Sequence, residues 1–210
     1  MAGSGRSTRW STAAGGGTIA DVVVHVDASL PVHPLTVDDL NAMVDAGILG
    51  EDDRVELLDG VLVEMSPQGA RHAVAIRRLI RRLVPLATAA GLEVSPQCPL
   101  NVVSPISQPE PDLAIVPIGD WESHAAQALL VIEVSVTSRA VDLGRKAAIY
   151  AAAGIPDYWV LDLASFTLVV HREPAADGYA DIRVLSDADE VTAARLPLTV
   201  TVADLLPPRG

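Results

Sequence analysis

Hydrophobic and polar positions along the chain follow two periods, one typical of helices and one typical of strands. From residue 70 to 90 the apolar residues recur every three or four positions, with arginines on the opposite side, which predicts an amphipathic helix. Thr36 is a candidate N-cap for a shorter helix that stops at Gly47. A third helix is predicted over residues 138–153, where Gly154 follows as a stop signal.

Short apolar runs between these helices predict the strands. Asp59-Gly60 separates two of them, and this dipeptide supplies the positive φ angles of a tight hairpin. Residues 111–118 and 128–136 indicate two buried strands, and a second hairpin is predicted to turn at Ala164-Ser165. Further strands are expected in three segments, LEVSPQCPLNVV, YADIRVL and LPLTVTV.

Together these elements predict one α/β domain with a mixed sheet over residues 19–210. Residues 1–18 are small, polar and rich in glycine, so we expect a disordered leader before the domain. The segment DVVVHV, which follows, is a candidate short strand. Neither an internal repeat nor a domain-splitting linker interrupts the pattern, and 210 residues are enough to bury a core.

Composition narrows the classes of function. Half of the residues are hydrophobic, which excludes disorder of the whole chain. Because the sequence has no run of about eighteen uncharged apolar residues and no recognisable secretory signal, we expect no membrane span and a cytoplasmic protein. The single cysteine, Cys98, cannot form an internal disulfide and is expected to be a buried thiol. The formal charge of −12 disfavours indiscriminate coating of nucleic acid, but metal-binding carboxylates would add to the same negative sum.

Two carboxylates and a lysine are the strongest candidates for chemistry. Asp112 opens one apolar strand, Glu133 lies inside the next, and Lys146, the only lysine among 15 basic residues, lies on the following helix. A carboxylate buried among aliphatic side chains costs several kcal/mol unless a partner compensates it. Mg²⁺ would do so, since it prefers oxygen ligands, neutralises charge on a phosphodiester and makes water easier to ionise. A nearby lysine could orient or deprotonate that water, or stabilise developing charge.

Each of these residues also has a purely structural interpretation. Asp112 could be an ordinary acid at the start of a strand, and Glu133 could form a buried ion pair with an arginine. Asp142 precedes Lys146 by four residues, so the two could form an exposed pair on the helix surface worth a few tenths of a kcal/mol. Glu56 could be an ordinary acid on a strand face.

Other polar residues near this group are predicted to have structural roles. His72 is expected to start or pack the second helix rather than bind metal, and Tyr150 is expected to be a core residue. The arginines on the outer face of that helix are more typical of a solvated surface, although they could also contact DNA phosphates. These are Arg77, Arg78, Arg81 and Arg82.

Four separated motifs occur in order across roughly residues 36–172. They are ELLDGVLVEMSP, a helix containing a histidine, PEPDLAIV, and VIEVSVTSRAVDLGRKAAIYAAAGIPDYWVLDL. In this combination the sequence resembles the Uma-type family of restriction endonucleases, which belongs to the PD-(D/E)XK nuclease superfamily. The resemblance implies a restriction-endonuclease-like α/β fold, with a mixed β-sheet flanked by helices in a single domain. It also implies a divalent metal, Mg²⁺ or Mn²⁺, bound by an acidic pair.

Carried over to this sequence, the resemblance assigns a role to each candidate residue. Asp112 matches the aspartate of the PD motif, and Glu133 matches the acidic residue of the (D/E)XK strand. Ser135 stands where the superfamily has its lysine, and Lys146 on the following helix matches the lysine of this family instead. Glu56 matches an acidic residue ahead of the hairpin that would assist metal binding.

The function implied by the resemblance is metal-dependent cleavage of DNA by an endonuclease that is expected to be a homodimer. Asp112, Glu133 and Glu56 are then the predicted metal ligands, and the same three residues with Lys146 are the predicted catalytic residues. Two alternatives stay open. One is a nuclease-fold dimer that no longer cuts and acts as a binding or regulatory module, and the other is a hydrolase of a different phosphoester, such as RNA or a nucleotide.

Overall fold

The computed structural model describes residues 31–50, 52–102, 104–119 and 123–209 of the chain. The leader predicted at residues 1–18 and the candidate strand DVVVHV both lie outside these ranges. All helices and strands named here belong to one compact unit, His33–Gly210. In chain order they are α1 (Val37–Asp45), β1 (Val55–Leu58), β2 (Val61–Glu64), α2 (Ala70–Ala89), β3 (Leu92–Pro96), β4 (Leu113–Pro117), β5 (Leu130–Ser135), α3 (Arg139–Val141), a π-helical turn (Asp142–Lys146), α4 (Ala147–Ala152), β6 (Asp157–Asp162), β7 (Thr167–Ala175), β8 (Gly178–Leu185), β9 (Glu190–Thr192), β10 (Thr199–Thr201) and α5 (Val202–Leu205).

Six strands form the central sheet, in the order β3-β4-β5-β6-β7-β8. Neighbouring strands are antiparallel except β5 and β6, which are parallel and are joined by the helical segment from α3 to α4. β1 and β2 form a separate hairpin, and β9 and β10 form another two-stranded sheet. The predicted α/β fold with a mixed sheet flanked by helices is confirmed.

Side chains of β5 alternate between two hydrophobic cores, one on each face of the sheet. Ile132 belongs to the core that includes residues of α2 and the C-terminal segment. Val131 belongs to the other core, which includes Tyr150 of α4. The two-residue period of a strand directs Glu133 to the same face as Val131. The acid therefore faces the helical segment that carries the lysine.

The predicted hairpin and first helix are both confirmed. Asp59 and Gly60 have φ angles of 50° and 77°, which suit a tight turn between β1 and β2. Glycine is needed here for a second reason, because a Cβ at Gly60 would lie 2.4 Å from Cβ of Pro34. In α1, the Asp39 N–H donates to Thr36 Oγ1 at 3.1 Å and the Thr36 N–H donates to the Asp39 carboxylate at 2.8 Å, forming a capping box.

The remaining predicted elements are present with altered ends. The amphipathic helix is α2, which ends at Ala89, and the hairpin at Ala164-Ser165 joins β6 to β7. The strands predicted in YADIRVL and LPLTVTV are β8 and β10. β10 has only three residues and pairs with β9, a short strand that the sequence pattern did not predict.

One prediction about exposure is wrong, and one structural alternative is ruled out. Cys98 is exposed rather than buried, because it lies in the loop after β3, where its Sγ contacts the carbonyl oxygen of Pro96 at 3.3 Å. Asp142 and Lys146 expose only 3% and 4% of their surface, so they do not form an exposed pair on the helix. The predicted third helix is present, but a π-helical turn at these two residues directs both of them inward.

Candidate active site

Asp112 and Glu133 lie side by side because two antiparallel strands bring them together. Asp112 directly precedes β4, and the pairing of Leu113 with Ile132 places it next to Glu133 of β5. The Asp112 N–H donates to Glu133 Oε2 at 3.3 Å, and the Val134 N–H donates to Asp112 Oδ2 at 2.7 Å. The two predicted metal ligands are therefore neighbours in space.

Lys146 reaches these acids through the π-helical turn. Backbone hydrogen bonds in such a turn span five residues instead of four, and single π turns inside helices are frequent at functional sites. Lys146 Nζ lies 2.9 Å from Glu56 Oε2 and 3.0 Å from Glu133 Oε1. The ammonium group thus bridges a carboxylate of the β1–β2 hairpin and a carboxylate of the central sheet. All four predicted site residues meet in one cluster.

Two residues that were predicted to have packing roles also touch the acidic pair. Tyr150 is fully buried, as predicted for a core residue, and its hydroxyl donates to Glu133 Oε1 at 3.2 Å. His72 Nε2 lies 2.9 Å from Asp112 Oδ1. A tyrosine one turn beyond the lysine was a usable sequence signal, whereas nothing in the spacing of His72 indicated its contact.

Burial dominates the ionisation of this cluster. Burial raises the pKa of the Glu133 carboxyl well above its usual range, and the nearby Lys146 charge counteracts part of that effect. For Lys146 burial alone would lower the pKa, but the charges of Glu133 and Glu56 and their hydrogen bonds raise it above its usual value. The lysine therefore stays protonated in this arrangement. That favours an electrostatic role over removal of a proton from water.

A cavity of about 190 Å³ lies over these side chains, and acidic residues dominate its lining. The carboxylates that line it are Glu56, Glu64, Glu110, Asp112, Glu133 and Asp142, and the cations are Arg54 and Lys146. Burial also raises the pKa of the Glu110 and Asp142 carboxyls. Asp142 accepts a hydrogen bond of 2.6 Å from the Ser138 hydroxyl. No signal in the sequence identified Arg54 and Glu110 as members of the site, and Asp142 entered only as the surface partner of Lys146 in the structural alternative.

Two neighbouring carboxylates, those of Asp112 and Glu133, are the groups of this site that could hold a divalent cation. Among the described residues, no three His, Cys, Asp or Glu side chains are grouped closely enough to hold a metal ion. Mg²⁺ is commonly bound through one or two carboxylates, with water and substrate phosphate filling its other positions. Asp112 and Glu133 fit that pattern, whereas Glu56 reaches the pair through the Lys146 ammonium.

Comparison with known proteins identifies the family. The model of the Uma2 family, described as "Putative restriction endonuclease", matches residues 37–203. The chain belongs to the Uma2 family. This confirms the resemblance drawn from the four motifs, and every predicted site residue of this Uma2-family chain lies within the matched segment.

A solved structure with a similar fold supports the architecture of this Uma2-family chain. It is the crystal structure of a putative nuclease belonging to DUF820 from Anabaena variabilis ATCC 29413, with a TM-score of 0.63. The two chains are 14% identical, and the similarity covers 82% of this chain and 97% of that one. No curated protein matches the chain. In the described parts of the chain, no helix has the length and hydrophobicity needed to cross a membrane.

The arginine face of α2 in this Uma2-family chain is partly engaged within the fold. Arg78 donates from Nε and Nη2 to the carbonyl oxygens of Asp204 and Ala203 in α5. Arg82 Nη2 lies 2.6 Å from the Asp204 carboxylate. These two arginines therefore attach α5 to α2. Arg77 and Arg81 are exposed.

Proposed function

We propose that this Uma2-family protein is a Mg²⁺- or Mn²⁺-dependent endonuclease that hydrolyses phosphodiester bonds of DNA. The observation that carries the proposal is the pair of neighbouring carboxylates of Asp112, which is half-buried, and Glu133, which is buried and contacted by a buried lysine. No arginine is paired with either acid within the described residues, so the buried ion pair with an arginine is not the arrangement found.

The proposed ligands are the carboxylates of Asp112 and Glu133, with Glu56 in a supporting position. When bound, the divalent ion would neutralise charge on the phosphate and make the attacking water easier to ionise. The protein would orient the ligand carboxylates. The Lys146 charge opposes part of the rise in the pKa of Glu133 that burial causes, and a bound cation would oppose it further.

Separate hydrogen bonds orient each ligand. The Val134 N–H and His72 each contact a different oxygen of Asp112, while Tyr150 and Lys146 contact Glu133 Oε1. Fixing a ligand in this way reduces the reorganisation needed when a cation binds. We therefore assign positioning roles to His72 and Tyr150, and assign to Lys146 the stabilisation of charge that develops on the substrate.

Arg54 is the proposed contact for a DNA phosphate at the mouth of the cavity. It lines the cavity, is exposed, and has no carboxylate within salt-bridge distance among the described residues. The other lining cation, Lys146, is engaged with two carboxylates. A phosphodiester that approaches an acidic cavity needs a cation at the entrance, and arginine suits phosphate because its guanidinium donates two parallel hydrogen bonds.

Cleavage of plasmid DNA with and without Mg²⁺ or Mn²⁺ tests the proposal. The wild-type protein should convert supercoiled plasmid to nicked or linear forms only when the metal is present. Asp112→Asn and Glu133→Gln should each abolish cleavage while the circular dichroism spectrum stays native. Glu190→Gln, which alters an exposed acid of β9, is the matched control and should cleave as the wild type does. Retained cleavage in the Asp112→Asn/Glu133→Gln double variant would refute the assignment.

A second candidate, a nuclease fold that binds without cutting, has two observations in its favour. The lysine is paired with two carboxylates, and the described residues contain no cluster of three metal ligands. Calorimetric titration with Mg²⁺ and Mn²⁺ separates the two functions. An endonuclease should bind the metal at millimolar concentration or below, and absence of binding would favour the second candidate. Duplex DNA, single-stranded DNA and RNA offered in parallel would identify the preferred phosphoester.

A further inference from the structure

Strand β8 forms one edge of the central sheet, and its outer side has no partner strand among the described residues. It pairs only with β7 among the described strands. The pairs run in one register from Leu185 opposite Leu168 to Gly178 opposite Ala175, and they are interrupted between Ala180 and Glu173, where Glu173 has a φ of 56°. From Asp181 to Leu185 the other side of the strand therefore presents the backbone groups of an extended edge. Natural proteins usually shield such an edge, because it can pair with another chain.

The opposite edge of the sheet, β3, is shielded in ways that β8 is not. β3 has five residues, ends in Pro96 and exposes Glu93. Gln97, the next residue, has a φ of 51°, which turns the chain away from an extended course. β8 has eight residues and no proline, and it exposes 56% of Ile182 and 67% of Val184. Among the strands that the structure describes, β8 is thus the edge that is open to pairing.

The charges of β8 select one register for pairing with a second copy of the same strand. Asp181 and Arg183 flank Ile182. In an antiparallel pair centred on Ile182, Asp181 of each copy faces Arg183 of the other, and Ala180 faces Val184. Opposite charges directly across a strand pair are stabilising, and like charges are destabilising. Centring the pair on either charged residue would instead place two like charges face to face, so the centre at Ile182 is favoured.

The surface beside β8 has room for the side chains of a second copy. A hollow of about 440 Å³ is lined by Gly144, Ala147 and Ala148 of the helical segment and by Ala180 and Ile182 of the strand. These small residues leave space next to an exposed isoleucine. A strand pair centred at Ile182 would place the Ile182 side chain of the second copy beside this hollow. Burial there would remove apolar surface from water on both copies.

We propose that β8 is the interface of a homodimer, in which two copies pair antiparallel about a two-fold axis at Ile182. The two six-stranded sheets then form one continuous sheet across the interface. Within one chain, Asp181 and Arg183 already form a salt bridge of 2.9 Å with an exposed arginine side chain. Such an exposed pair contributes little, so its redistribution across the interface costs little. The interface does not depend on metal binding or on cleavage.

Exchanging the charges at positions 181 and 183 tests the pairing, and sedimentation equilibrium of the protein measures the dissociation constant of the dimer. The wild type should be a dimer. Asp181→Arg places arginine opposite arginine twice per dimer and should raise the dissociation constant by about tenfold or more. The double variant Asp181→Arg/Arg183→Asp restores opposite charges and should return the constant to near the wild-type value. Glu190→Arg, the same change of charge at an exposed acid of β9, should have little effect.

Disulfide trapping tests the register. In a Cys98→Ser background, which removes the only native cysteine, Ile182→Cys should form a dimer on mild oxidation because position 182 faces itself. Val184→Cys should not, since the two copies of position 184 would be four residues apart along the strand, about 14 Å. A monomeric wild type, or a dimer unaffected by Asp181→Arg, would overturn the proposal. Trapping through position 184 instead of 182 would overturn it as well.

Discussion

Replacement of Lys146 by methionine tests how the acidic cluster is held together. Methionine keeps much of the volume of lysine and removes the charge. The wild-type ammonium lies 2.9 Å from Glu56 and 3.0 Å from Glu133, and the side chains of all three residues are 5% exposed or less. The substitution therefore leaves two carboxylates buried with no cation between them.

The size of the expected effect follows from this geometry. A pair of opposite charges about 3 Å apart attracts by roughly 5 kcal/mol at an effective dielectric constant of about 20, and desolvation of the charges offsets a large part of that. Removal of one partner from a buried pair typically costs about 3–5 kcal/mol. We expect a loss of that size for Lys146→Met. It is a large fraction of the roughly 5–15 kcal/mol that stabilises a typical domain.

The loss of stability should also depend on pH, and the pKa of the Glu133 carboxyl sets the direction of that dependence. Burial already raises the pKa of this carboxyl, and removal of the lysine raises it further. A carboxyl whose pKa is raised on folding stabilises the protein at low pH, and that contribution is lost as pH rises through the folded-state pKa. Lys146→Met should therefore be more strongly destabilised at pH 8 than at pH 5.

Urea unfolding followed by circular dichroism, without metal, measures these quantities. The double variant Lys146→Met/Glu133→Gln is the control for charge, because it removes one of the two stranded carboxylates. It should recover about 1–2 kcal/mol relative to Lys146→Met alone. A loss below about 1 kcal/mol for the single variant, with no recovery in the double variant, would show that the lysine does not compensate buried acids.

Three further predictions concern the cavity mouth, one core residue and the first hairpin. Arg54→Gln should weaken DNA binding and lower the slope of log Kd against log salt concentration by about 0.9. Arg195→Gln, at an exposed arginine between β9 and β10 that does not line the cavity, should change neither quantity, and fluorescence anisotropy at several salt concentrations measures both. Burial lowers the pKa of the His171 imidazole, so the protein should lose stability as pH falls below about 6.5. The His171→Phe variant should lack this contribution to the pH dependence, which urea unfolding at pH 5 and pH 7.5 measures. Gly60→Ala should reduce the free energy of unfolding by roughly 1–3 kcal/mol and lower Tm, since the φ of 77° disfavours a side chain and the new Cβ would collide with Pro34. An unchanged Tm would contradict this prediction.

The acidic pair could be predicted from the sequence because its signals are local. Glu133 interrupts an apolar strand, and Asp112 opens the preceding one. Since consecutive antiparallel strands place the start of one near the end of the other, their proximity follows from the order of the elements. The mixed sheet could be predicted for a similar reason, because a helical segment joins β5 to β6 and thereby allows them to be parallel.

The environment of Lys146 could not be predicted in the same way. A separation of four residues between Asp142 and Lys146 is equally typical of an exposed helix pair, and nothing in that spacing indicates the π turn at which both are buried. The contact between His72 and Asp112 depends on how α2 packs on the sheet, which no periodicity specifies. The exposure of Cys98 likewise depends on where β3 ends.

Crystals soaked in Mn²⁺ and measured at the manganese absorption edge test the metal site most directly. An anomalous difference peak should lie between the carboxylates of Asp112 and Glu133, within about 2.0–2.4 Å of one oxygen of each. The Glu133→Gln variant should lack that peak. Absence of the peak from wild-type crystals, with Lys146 still bridging Glu56 and Glu133, would contradict a metal-dependent nuclease at this site.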